Sequence, residues 1–125
     1  MNMELETTMG TPLHDCLQAF ARSVNSDARL AGLLKGWEPL LTVEATDSGA
    51  QFAFQVSRGQ MHPIDGADAK QENPVLIRSD SETLMRVFGG ELNPAQAYLE
   101  GSLEVFGSDR DQTKLDAISL VLWGM

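Results

Sequence analysis

The chain is short of cysteine, of basic residues and of long apolar runs, and each shortage removes a class of function. Its single cysteine, Cys16, excludes an internal disulfide framework and fits a reducing compartment. Nine lysines and arginines stand against eighteen acidic residues, a formal net charge of −9. Nucleic-acid binding needs a positive surface that releases counterions, so it is excluded, as is docking on anionic lipid by charge alone. No segment is long and apolar enough to cross a bilayer. The opening MNMELETTMG lacks both a basic stretch and a continuous apolar one, so no signal peptide is expected and the cytoplasm is the expected location. The two histidines, His14 and His62, fall on different elements without the spacing of a metal site, and no metal or cofactor is expected. Phosphate loops, serine elbows and nucleotide fingerprints are absent too, and no enzyme is expected.

At 125 residues the chain reads as one domain, 1–125, with residues 1–10 as a flexible start. Pro12 suits a first helical turn, and Leu13, Cys16, Leu17, Phe20, Ala21 and Val24 recur at helical spacing behind it. Asn25-Ser26-Asp27 interrupts that stripe and caps a second short helix carrying Leu30, Leu33 and Leu34, which Gly36 ends.

The period then becomes two. Leu41 to Thr46, Gln51 to Ser57 and Gln60 to Ile64 read as a meander of strands turned at Asp47-Ser48-Gly49 and Arg58-Gly59. Asp65 to Asn73 is polar and reads as a mobile loop. Val75 to Arg78 is a short strand, apolar at most positions and so expected to be central. Ser79 and Glu82 have capping-box spacing ahead of a helix with Leu84, Met85, Val87 and Phe88. Asn93-Pro94 opens a short helix that stops at Gly101; Leu103 and Val105 mark a last strand, and Ser108 caps a final helix. This order implies an α+β fold: about five strands, mostly antiparallel, covered on one face by helices.

The stretch FGGELNPAQAYLEGSLEVFG, Phe88 to Gly107, gives the sharpest signal. It reads as helix end, tight turn, capped short helix, glycine break and brief strand. With Ile77 and the Ser79–Phe88 helix before it, this order resembles the sterol carrier protein family, roughly over Leu30 to Leu122. The resemblance implies the family's fold and the binding of a hydrophobic small-molecule lipid in an apolar cavity between sheet and helices. It implies a lipid-binding wall in which Phe52, Phe54 and Val56 face the helices from the sheet. Leu84, Met85 and Phe88 line the other side, with Tyr98 and Leu99 on the short helix. Ile77, Leu103, Val105, Ile118 and Leu122 complete the enclosure.

Two departures bear on the ligand. Glu91 stands where the family often has lysine, and Ser102 where another basic residue is common. Loss of those charges favours a neutral or zwitterionic lipid, or an isoprenoid, over an anionic one. Taken apart from the resemblance, the aromatic and methionine positions read as core filling, Cys16 as core, and Asp109, Asp111 and Asp116 as a solvated helix face. The expected function is non-catalytic binding or transfer of a fatty acyl, sterol or isoprenoid lipid, with transient membrane contact compatible with exchange. The alternative is an accessory protein of a lipid or quinone biosynthetic assembly, its cavity closed. Its apolar end, Val121 to Met125, would then serve as a homodimer or enzyme-partner contact.

Overall fold

The computed structural model describes residues 12–64 and 74–124. The expectations of a flexible 1–10 segment and of a loop at 65–73 lie outside those residues. The elements run α1 (Pro12–Ser26), α2 (Ala28–Leu33), β1 (Leu40–Ala45), β2 (Gln51–Ser57), β3 (Gln60–Ile64), β4 (Pro74–Ser79), α3 (Ser81–Phe88), α4 (Pro94–Leu99), β5 (Glu104–Phe106) and α5 (Asp109–Trp123).

The five strands form one sheet in the order β3-β2-β1-β4-β5. β1 and β4 are parallel, whereas β1–β2, β2–β3 and β4–β5 are antiparallel. The sheet is therefore mixed, antiparallel in three of its four pairings. β4 lies beside the central β1 and next to the edge strand β5, which fits its run of apolar residues. Alternation decides which face is covered. Leu41 and Val43, Phe52, Phe54 and Val56, and Val75 and Ile77 are buried on the helix side, while Thr42, Glu44, Gln55 and Arg78 alternate with them and stay partly solvated. α1 packs over β3 and against α3, and α5 closes against α2, α1 and α4.

Local chemistry ends the helices. Asp27 caps α2 by accepting from the Arg29 amide, and Asn93 caps α4 by accepting from the Ala95 amide with Pro94 behind it. Ser108 and Asp111 form a reciprocal capping box on α5. The expected box of Ser79 with Glu82 does not form. Asp80 is the cap of α3, taking the Thr83 amide at 3.0 Å and the Thr83 hydroxyl at 2.7 Å. Ser79 is instead the buried last residue of β4, and its hydroxyl donates to the Ser102 carbonyl at 2.6 Å. A carboxylate can take both donors at once, which a hydroxyl one position earlier and still in the strand cannot.

Candidate functional site

β4 and β5 place Ile77 opposite Val105, side by side on the helix-covered face. Above this half of the sheet α4 and α5 stand off enough to leave a cavity of about 270 Å³. Ile77, Leu103 and Val105 form its floor, Val87 and Phe88 come from α3, and Leu115 and Ile118 from α5. Pro94, Ala95, Tyr98 and Leu99 of α4 form its outer wall. One end is aromatic: Phe20 lies edge-on to Phe88 with centroids 4.9 Å apart, and Trp123 is 5.8 Å from Phe20. The other side opens to solvent beside Leu99, which is 83% exposed although it lines the space.

α4 is the least anchored part of this enclosure. Of its six residues only Ala97 is buried. Its return to β5 is held by the Ser102 and Leu103 amides, which both donate to the Ala97 carbonyl. A helix this short has no stability of its own and depends on that one buried methyl and its caps.

Of the residues expected to form a lipid wall, Ile77, Phe88, Tyr98, Leu99, Leu103, Val105 and Ile118 lie around the cavity. Phe52, Phe54, Val56 and Leu84 are buried in the main core, and Met85 and Leu122 pack against that core half-buried. Sheet order sets the three β2 residues apart from the cavity. β2 is divided from β4 by β1, so its inward side chains sit in the half of the molecule covered by α1, where Phe52 meets the His14 ring. Glu91 and Ser102, the positions bearing on head-group charge, are exposed and outside the cavity wall.

Sequence reasoning passed over Phe20, Val87, Trp123 and the polar residues Gln112, Asp116 and Ser119, which all line the space. The polar three were legible as one helix face, at spacings of four and three. Ser119 is buried, and its hydroxyl donates to the Asp116 carbonyl at 3.0 Å.

A larger hollow of about 700 Å³ lies where β1 and β4 begin and β5 runs into α5, walled by Gly36, Trp37, Glu38, Pro39, Pro74, Gly107, Ser108, Arg110 and Asp111. Its lining is mostly polar or backbone, and the Trp37 indole N–H is committed to Asp111 Oδ1 at 2.8 Å. An apolar guest gains little there, so the smaller apolar space is the candidate. No group of histidine, cysteine and carboxylate side chains among the described residues could hold a metal ion, and no described helix is long and apolar enough to cross a membrane. Cys16 is half-buried on α1 and its thiol lies 3.6 Å from the Met85 carbonyl. Burial, and then the charge of Glu91, push that thiol above its ordinary range, the opposite of an activated nucleophile.

A match to the SCP-2 sterol transfer family spans residues 17–118. The chain belongs to that family. Lipid binding of the SCP-2 type is its general function. Solved SCP-2 structures share the fold. The sterol carrier protein domain 2 of Helicoverpa armigera is 17% identical, with a TM-score of 0.68 over 91% of this chain and 90% of that one. The UbiJ-SCP2 ubiquinone synthesis protein is 15% identical, with a TM-score of 0.64 over 88% and 94%. Palmitated SCP2L2 from Aedes aegypti is 16% identical, with a TM-score of 0.54 over 83% and 90%. No curated protein sequence matches the chain closely enough to add a relative of known activity.

Proposed function

We propose that this SCP-2 domain binds the apolar part of one small lipid in the space between β4–β5 and α3, α4 and α5, and releases it intact. The observation that carries this reading is the cavity itself. Its volume of about 270 Å³ lies just under the range of about 300–1,000 Å³ usual for ligand pockets, and among the described residues its wall is mostly apolar, with Gln112, Asp116, Ser119 and the polar tips of Tyr98 and Trp123 as the exceptions. That size suits a single acyl or isoprenoid chain of moderate length. Covering about 300 Å² of such a chain would supply about 7 kcal/mol before ordering costs.

Exchange goes through α4. A guest enters where Tyr98 and Leu99 are exposed, and α4 gives way because only Ala97 anchors it. Among the described residues no nucleophile with an adjacent base lines the cavity, and the reading is of binding and transfer rather than catalysis. A service role in a lipid or quinone biosynthetic assembly is the second reading, favoured by the likeness to the UbiJ-SCP2 ubiquinone synthesis protein.

Native mass spectrometry of the gently purified protein, followed by solvent extraction, tests the proposal. A stoichiometric acyl, sterol or isoprenoid species supports it and gives the ligand class. A protein that stays empty after incubation with mixed lipids rejects it in favour of the closed accessory role.

A further inference from the structure

The α5 side of the cavity makes it long rather than round. Gln112, Leu115, Asp116, Ser119 and Trp123 all line it, recurring along one face of that helix at spacings of three and four. Gln112 and Trp123 are eleven residues apart, about 16 Å of helix. An extended peptide covers about 3.4 Å with its three backbone bonds, so an extended hydrocarbon chain along that face takes about thirteen bonds. Volume sets a similar bound. A cavity of about 150 Å³ admits the six carbons of benzene, and at that rate about 270 Å³ holds about eleven.

The Trp123 end of this length is blocked. Phe20 and Phe88 are buried there and stand edge-on to each other, with the Trp123 ring 5.8 Å from Phe20. The turn after α3 backs the indole. A Cβ on Gly90 would lie 2.6 Å from its Cδ1, so only bare backbone fits behind it. That turn is itself fastened. The Gly90 amide donates to the Val87 carbonyl at 3.2 Å, and the Glu91 and Leu92 amides donate to the Arg86 carbonyl at 2.8 and 3.1 Å. A chain end arriving here cannot push Trp123 aside without disturbing both Phe20 and Gly90.

From this we infer that Trp123 is a chain stop, which limits the part of a lipid tail that the cavity buries to about eleven carbons. The inference rests on the proposed lipid-binding role of the same cavity. The tail lies along α5 with its methyl end against Phe20, Phe88 and Trp123. Each methylene taken from water raises affinity about fourfold until the space is full. Carbons beyond the limit stay in water beside the exposed Leu99 and add nothing. A bilayer buries the whole of any tail, so longer chains remain there and medium-length chains are the ones the domain carries.

Calorimetric titration of the full chain with hexanoate, octanoate, decanoate, dodecanoate, tetradecanoate and hexadecanoate, each below its micellar concentration, tests it. The probes share one head and differ only in length. Affinity is expected to climb about fourfold per methylene up to decanoate and to level off beyond dodecanoate. In Trp123→Ala the climb should continue for about three carbons more, whereas Trp123→Phe keeps a ring at the stop and should level off with the parent. Should Trp123→Ala fail to fold, Trp123→Leu keeps an apolar side chain against Phe20 and is read the same way. An unbroken climb to hexadecanoate in the parent would refute the length limit and leave the lipid-binding role intact. A plateau that does not move in the Trp123 variants would refute Trp123 as the stop. Binding of none would overturn that role and this inference together.

Discussion

Gly90 and Trp123 are in a contact that leaves no room for a side chain between them. A Cβ on Gly90 would lie 2.6 Å from Cδ1 of the indole, and the backbone there has φ of +80°. The glycine therefore meets two demands, a left-handed turn after α3 and close approach to a ring that lines the cavity. The indole cannot easily retreat, because Phe20 stands on it.

Gly90→Ala should accordingly cost about 2 kcal/mol or more, the left-handed strain and the clash together. Thermal unfolding would show this as a fall in midpoint of several degrees. A midpoint within a degree of the parent would mean that the turn relaxes without disturbing Trp123.

The main core and the cavity should respond differently to substitution. Phe54 is 4% exposed and lies away from the cavity, so Phe54→Ala should lose about 3–5 kcal/mol of stability. Val105 is half-buried in the cavity floor, so Val105→Trp should fill the space at a cost of about 1–3 kcal/mol while abolishing lipid uptake. Denaturant unfolding and lipid titration on both variants distinguish the two roles. Retained binding by Val105→Trp would place the ligand elsewhere.

The proposed gate should be visible as local motion. Amides of α4 that bond within the helix, Ala97 to the Asn93 carbonyl and Glu100 to the Gln96 carbonyl, are expected to exchange with solvent faster than those at the centre of α1. Bound lipid should slow them. Exchange as slow as in α1, unchanged by ligand, would exclude α4 as the entry.

Acid should loosen the helix caps. Hydrogen bonds from the Thr83 amide and hydroxyl hold the Asp80 carboxyl below its usual range. For Asp111, burial alone pushes the carboxyl up, but hydrogen bonds from Trp37 and from the Ser108 amide and hydroxyl outweigh it and hold the value low. A carboxyl lowered in the folded state contributes stability that is complete above its unfolded value, about 3.9, and lost as pH falls through the folded one. Melting points should therefore drop below about pH 4. Asp80→Asn retains an acceptor at the cap, so it should match the parent at neutral pH and show a shallower acid decline. An identical acid profile would mean that other groups govern it.

Much of the fold was legible because its signals are local. The change from a period near four to a period of two separates α1 from the meander, and Asn93-Pro94 and Ser108 mark helix starts by chemistry that needs no partner from afar. The cap of α3 was misplaced by one residue, because whether Ser79 belongs to strand or cap depends on its bond to Ser102, 23 positions away.

The sequence by itself determined the class of molecule. The order of its elements implied an α+β domain, and its acidity and single cysteine removed other classes. The run from Phe88 to Gly107, by its resemblance to the sterol carrier family, implied a lipid ligand before any contact was known. Tertiary structure alone decided which apolar residues face an empty space. Periodicity tells which side of an element is inward, but Phe54 and Val105 are both inward and differ only in what lies opposite. Strand order puts β2 under α1 and β5 beneath the thinly held α4, so one half of the interior is filled and the other is left open.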